Sequence, residues 1–276
     1  MRGRPAGVTR GIGGVEFAGS LPDPVVAAGG LLTQLGDMWF LLLAIGALYW
    51  RARGGAAPGL TTMPFRDCLL LLALAVGSYA AAAALKSAFA LPRPPGAGTA
   101  VLPAWLPPVA SPVYEAMVTA DGYGFPSGHA TAATAVYGGA AAVLPVGTRR
   151  LRYVAAGSVV AVVSLSRLLI GVHYLVDVVA GVLLGSAVLA LLLGLVHRFG
   201  SRVHSPGSSA SSDSPGSPRT DTRSPAPALA GAALLALVTL AFAPELERLL
   251  GLLGAAAGLG LWLRLGPSRG ASLRGS

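Results

Sequence analysis

The apolar residues of this chain gather in seven runs separated by polar intervals: Leu31 to Trp50, Cys68 to Leu91, Ser127 to Pro145, Tyr153 to Ile170, Tyr174 to Val196, Ala226 to Ala243 and Leu249 to Leu263. Most approach the length of about 17–25 residues that crosses a bilayer as a helix, and the last is the shortest. The pattern predicts an all-α, polytopic transmembrane helical bundle, with a five-helix core and a C-terminal helix pair. Composition agrees, since 54% of the residues are hydrophobic and 11% are charged, with a mean hydropathy of +0.67. A soluble domain carries about 25% charged residues.

The intervals divide the chain further. Residues 1–30 read as an N-terminal interfacial segment, 31–197 as the main transmembrane domain, 198–227 as a linker, 228–265 as the helix pair and 266–276 as a polar tail. The linker call rests on Ser201 to Pro227, whose Ser- and Pro-rich composition cannot bury a core. Met1 to Leu21 carries Arg2, Arg4, Arg10 and Glu16 without the apolar core of about 7–15 residues that a signal peptide needs, so insertion by the chain's own helices is expected. The C-terminal pair holds no polar cluster, and a packing or dimerising role is expected of it.

Charge sets the orientation. With loops assigned alternately, thirteen arginines fall on one side: Arg51, Arg53, Arg66, Arg149, Arg150, Arg152, Arg198, Arg202, Arg219, Arg223, Arg264, Arg269 and Arg274. Only four fall on the other, Arg2, Arg4, Arg10 and Arg248, once Lys86, Arg93 and Arg167 are set aside. The richer side is then cytoplasmic. This predicts a multi-pass protein of the cell membrane and accounts for the net charge of +9 without a nucleic-acid partner. The N-terminus lies outside in this scheme unless residues 11–30 form a half-crossing helix, broken at Pro22 and Pro24, that returns it to the cytoplasm. Cys68 is the single cysteine, so neither an intrachain disulfide nor a cysteine metal cluster can form.

Three polar clusters interrupt the apolar pattern near the external face. Lys86, the one lysine, precedes Arg93-Pro94, and Pro92 and Pro94 stop the helix beside Arg93. Alone, each cation also fits a side chain reaching interfacial water. Pro126-Ser127-Gly128-His129 opens the third run, where Ser127 suits an N-cap, Gly128 permits close backbone approach, and the free amides and helix dipole attract an anion. Ser166-Arg167 ends the fourth run, Gly171 permits a turn, and His173 and Asp177 share a face at the start of the fifth. A carboxylate so placed fixes an imidazole's tautomer and stabilises its charged form. Together these groups can hold a phosphate and cleave its ester through a phosphorylated histidine, although their chemistry alone does not decide which histidine attacks. Asp37, also inside an apolar run, fits either a cleft wall or an interfacial pair and is not assigned to the site.

These clusters match K-x6-R-P, P-S-G-H and S-R-x5-H-x3-D, in order and at all eleven fixed positions. The chain thereby resembles the type 2 phosphatidic acid phosphatase superfamily. The resemblance implies a helical bundle with its site at the non-cytoplasmic edge, His173 as nucleophile, Asp177 orienting it and His129 protonating the leaving group. It assigns the phosphoryl oxygens to Lys86, Arg93 and Arg167, with Ser127 and the Gly128 amide completing the cradle. No metal or other cofactor is implied, because cations and amides supply the electrostatic stabilisation.

The expected activity is hydrolysis of a lipid phosphate or isoprenyl diphosphate, with phosphotransfer to another alcohol as the alternative. Lipid substrate and membrane lipids are the expected partners, and no oligomeric state is specified. A transporter with a charged ion path is the rival from another class, and the intact composite motif argues against it. Vanadate-dependent haloperoxidases share a related anion pocket, but the span count disfavours them. The interval Pro95 to Phe125, with Trp105, Tyr114, Glu115 and Tyr123, is expected to cover the site and influence substrate choice.

Overall fold

The computed structural model describes residues 20–53, 59–200 and 224–240. Most of the expected linker, the last apolar run, the polar tail and the first nineteen residues lie outside these ranges. Every regular element among the described residues is helical: α1 (Asp23–Thr33), α2 (Met38–Arg53), α3 (Pro64–Phe89), α4 (Ser111–Val118), α5 (Gly128–Val143), α6 (Arg149–Leu169), α7 (Leu175–Phe199) and α8 (Ala226–Leu240), with short 3-10 turns at Gln34–Gly36 and Pro108–Ala110. Three helices, α3, α6 and α7, are long and apolar enough to span a membrane.

The run from Leu31 to Trp50 was expected as one span and is instead broken. Asp23–Gly36 and Met38–Arg53 meet at 54° around Asp37. The sequence Gln34-Leu35-Gly36-Asp37 explains the break, since glycine and aspartate are poor in helix interiors and the turn tightens to 3-10 there. Pro22 and Pro24 open α1, where a missing N–H costs nothing.

α3 is the central post. Its 26 residues rise about 39 Å, and α2, α5, α7 and α8 all pack on it. Leu70, Leu74, Ala73 and Ala75 are fully buried in a core that also takes Ala135 of α5, Leu192 of α7 and Ala228 and Ala232 of α8. Thus α8, which follows the expected linker, lies against α3 and α7. The outer faces of α6 and α7 are apolar and exposed, including Val154, Leu165, Val179, Leu183 and Leu191. Without lipid to cover it, such a surface would face water at a large free-energy cost.

Small residues let α5 and α7 approach closely. A Cβ built on Gly181 would lie 2.6 Å from the Ser127 carbonyl oxygen and 3.1 Å from Ala130 Cβ. Because the nearer atom is backbone, Gly181→Ala is expected to destabilise the bundle by about 1–3 kcal/mol. Thermal unfolding in detergent measures this, and an unchanged midpoint contradicts the close approach.

Candidate active site

Antiparallel succession brings four helix ends together: the C-terminal ends of α3 and α6 and the N-terminal ends of α5 and α7. α3 stops after Phe89 with Ala90 in the left-handed region at φ 47°, its N–H donating to Lys86 O. The chain then reaches Arg93. α6 ends just beyond Arg167, and Gly171, at φ 73°, turns the chain so that His173 arrives immediately before α7. A side chain would be strained at that φ.

His173 and Asp177 are buried as a pair, with His173 Nδ1 3.3 Å from Asp177 Oδ2. The same carboxylate oxygen accepts the Tyr174 N–H at 3.0 Å, which fixes its position at the helix start. On the other side of the ring, Arg93 Nη1 lies 3.1 Å from His173 Nε2 and also donates to Val172 O, while Arg93 Nε donates to Asp121 O. Burial, followed by the positive charges of Arg167, Arg93 and Lys86, holds the His173 imidazole well below its ordinary value of 6.5. A carboxylate only accepts and a guanidinium only donates, so a neutral ring here carries its proton on Nδ1 toward Asp177 and its Nε2 lone pair toward Arg93. Burial also presses the Arg93 guanidinium below its ordinary range, with Asp177 and Asp121 opposing the shift.

The Ser127 backbone N–H donates to the Asp177 carbonyl at 2.9 Å, locking the start of α5 to the start of α7. Ser127 occupies the N-cap position of α5 as expected, but its side chain makes no capping bond. Its Oγ is one of three buried side-chain polar atoms without a hydrogen-bond partner among the described residues; the others are Arg167 Nε and Ser164 Oγ. Leaving such an atom unpaired costs about 1–3 kcal/mol. Two of the three belong to residues assigned from sequence to the phosphate site. A Cβ on Gly128 would stand 3.8 Å from Lys86 Nζ, an ordinary contact distance, so the lysine head lies beside the first turn of α5. Among the described residues, no group of three or more His, Cys, Asp or Glu side chains is arranged to hold a metal ion.

Two contributors come from the bent α1–α2 pair and were not assigned from sequence. Thr33 Oγ1 accepts from Arg167 Nη1 at 3.1 Å. Asp37 Oδ2 lies 3.6 Å from His129 Nε2. The signal for Asp37 was present, since it is a carboxylate inside an apolar run, but its partner is remote in sequence. Beside the site, a cavity of about 300 Å³ is lined by Asp23, Val26, Thr99, Tyr114, Ile170 and Gly171 among others. Its walls come from α1, the segment after Arg93, α4 and the turn before His173.

Comparison with known proteins places this arrangement. Residues 67–201 match the model of the PAP2 superfamily. The segment is a PAP2-superfamily domain. A solved structure with the same fold, described as the first transmembrane PAP2 type phosphatidylglycerolphosphate phosphatase from Bacillus subtilis, superposes with a TM-score of 0.51 at 24% identity. The match covers 67% of this chain and 83% of that one. No curated protein matches the chain at a significant level. The matched segment begins within α3 and ends just after α7, so α1, α2 and α8 lie outside it.

Proposed function

We propose that this membrane protein is a metal-independent phosphatase that hydrolyses a lipid phosphate or isoprenyl diphosphate through a phosphohistidine. The carrying observation is the buried His173, held at Nδ1 by Asp177 and with Nε2 3.1 Å from Arg93 Nη1. In this reading Nε2 attacks phosphorus as the bond to the leaving oxygen breaks, and His129 gives that oxygen its proton. Arg93, Arg167 and Lys86 bind the phosphoryl oxygens, and Ser127 Oγ with the first amides of α5 completes the cradle. Water then attacks the phosphohistidine and passes a proton to His129, the N–P bond breaks and inorganic phosphate departs.

A site at the ends of lipid-facing helices suits a substrate whose tail stays in the bilayer while its headgroup enters. The adjoining cavity, with Asp23, Thr99 and Tyr114 in its wall, suits the polar part of such a headgroup. The test is phosphate release by purified protein from isoprenyl diphosphates, phosphatidate and phosphatidylglycerol phosphate. Release of phosphate from at least one lipid is expected, and no release above the His173→Ala background from any of them overturns the reading.

The active-site end faces away from the cytoplasm in this proposal, following the arginine asymmetry. Cys68 is buried, so a Cys68→Ala background can carry single reporters at exposed Ala104, near the site, and Val146, at the opposite end. An impermeant thiol reagent applied to intact cells is expected to label Ala104→Cys and spare Val146→Cys. The reverse pattern inverts the topology.

A further inference from the structure

The bent α1–α2 pair lies outside residues 67–201, and its break docks on α5 and α6 at three points. Thr33 Oγ1 accepts from Arg167 Nη1 at 3.1 Å, and Leu35 O accepts from the Tyr137 hydroxyl at 2.8 Å. Asp37 Oδ2 reaches within 3.6 Å of His129 Nε2. The approach is tight because residue 36 is glycine: a Cβ there would stand 2.6 Å from Val163 Cγ1, 3.1 Å from His129 O and 3.3 Å from His129 Cβ. The same four-residue interruption that breaks the helix therefore delivers a carboxylate to His129.

We infer that Asp37 is a positioning residue for His129, holding its imidazole oriented for proton delivery to the leaving oxygen. The inference rests on the phosphatase reading. Burial, then Arg167 and Lys86, disfavour a positive charge on His129, and Asp37 is the carboxylate that opposes them during proton transfer. A separation of 3.6 Å is an ion-pair distance that closes to a hydrogen bond with a small ring rotation. In the first step the P–O bond breaks while the N–P bond to His173 forms. The leaving oxygen takes the proton of His129, and Asp37 remains a carboxylate throughout. In the second step the attacking water gives a proton to the same imidazole, which restores its starting charge while Asp37 stays a carboxylate and keeps the ring oriented.

Leaving-group dependence separates positioning from support of the fold. The substrates are a matched pair, a long-chain alkyl phosphate whose alkoxide needs a proton and a nitrophenyl phosphate with the same alkyl chain, whose phenolate leaves unassisted. Full-length wild type, Asp37→Asn and Asp37→Glu are compared per folded molecule, with His173→Ala as background. Asp37→Asn is expected to slow phosphohistidine formation in a single turnover of the alkyl phosphate by about 10²-fold while slowing it for the aryl phosphate by less than about threefold, as loss of acid catalysis predicts. Asp37→Glu is expected to recover part of the alkyl rate. Equal losses on both substrates, or no loss on the alkyl phosphate, overturns the inference while leaving the phosphatase reading intact. A wild type that releases phosphate from neither overturns the reading and the inference with it.

Discussion

His173→Ala is expected to lower phosphate release by on the order of 10⁴-fold or more while the protein still inserts and folds. The size of the effect follows from the geometry of the buried turn. His173 Nδ1 is committed to Asp177, leaving Nε2 to face the Arg93 guanidinium, and no other imidazole shares that arrangement among the described residues. Removing the ring removes the atom that forms the covalent bond, so neither the cations nor His129 can substitute. The cavity left by a fully buried histidine lowers stability as well, which is why turnover must be normalised to folded protein. A chelator is expected to leave the wild-type rate unchanged, because the charge stabilisation is assigned to Lys86, Arg93, Arg167 and helix amides. Substantial turnover by purified His173→Ala, or a strict Mg²⁺ requirement in the wild type, contradicts the mechanism.

Arg167→Gln carries the second large effect. Its Nη1 is engaged by Thr33, whereas its Nε is buried without a partner. In the proposed reading the side chain is both a tie to α1 and a donor available to phosphate. Vanadate, whose trigonal-bipyramidal form resembles phosphorus under attack, is expected to inhibit competitively with lipid substrate. Loss of the guanidinium is expected to weaken vanadate inhibition and kcat/KM by about 10²–10³-fold each. If Arg167 served only to tie α6 to α1, folded yield would fall and the inhibition constant per folded molecule would stay the same. Equal constants for wild type and variant remove Arg167 from the phosphate site.

The long helices were legible because hydropathy reports burial and lipid exposure alike. α3, α6 and α7 fall within a few residues of the runs that predicted them, and the boundary at Pro64 rather than Cys68 reflects Arg66 and Asp67. These two charged residues look like loop by composition but pair with each other at 2.7 Å inside the first turn of the helix. The break in the first run was less legible, since flanking leucines mask Gln34-Leu35-Gly36-Asp37 in any long window. α4, within the expected covering segment, is only eight residues and carries a proline near its start, so hydropathy could not separate it from loop. The assigned side chains were legible because their spacing places them on successive helix ends. Asp37 and Thr33 were not, because each acts through a partner more than ninety residues away and no local period links them. Likewise the contact of α8 with α3 rests on alanines and glycines, which show how closely helices can approach but not which ones do.

The hydrogen bond from the Ser127 amide to the Asp177 carbonyl has an engineering consequence. Asp177 joins two contacts through different atoms: its side chain holds His173, and its main chain ties the start of α5 to α7. In the proposed reading the nucleophile and the anion cradle thereby share one block. The neighbouring cavity is walled instead by α1, α4 and the segment after Arg93. In the proposed reading chemistry and substrate choice are therefore separable, and exchanging the wall at residues 95–101 and 111–118 is expected to change headgroup preference while His173 and Asp177 stay in place.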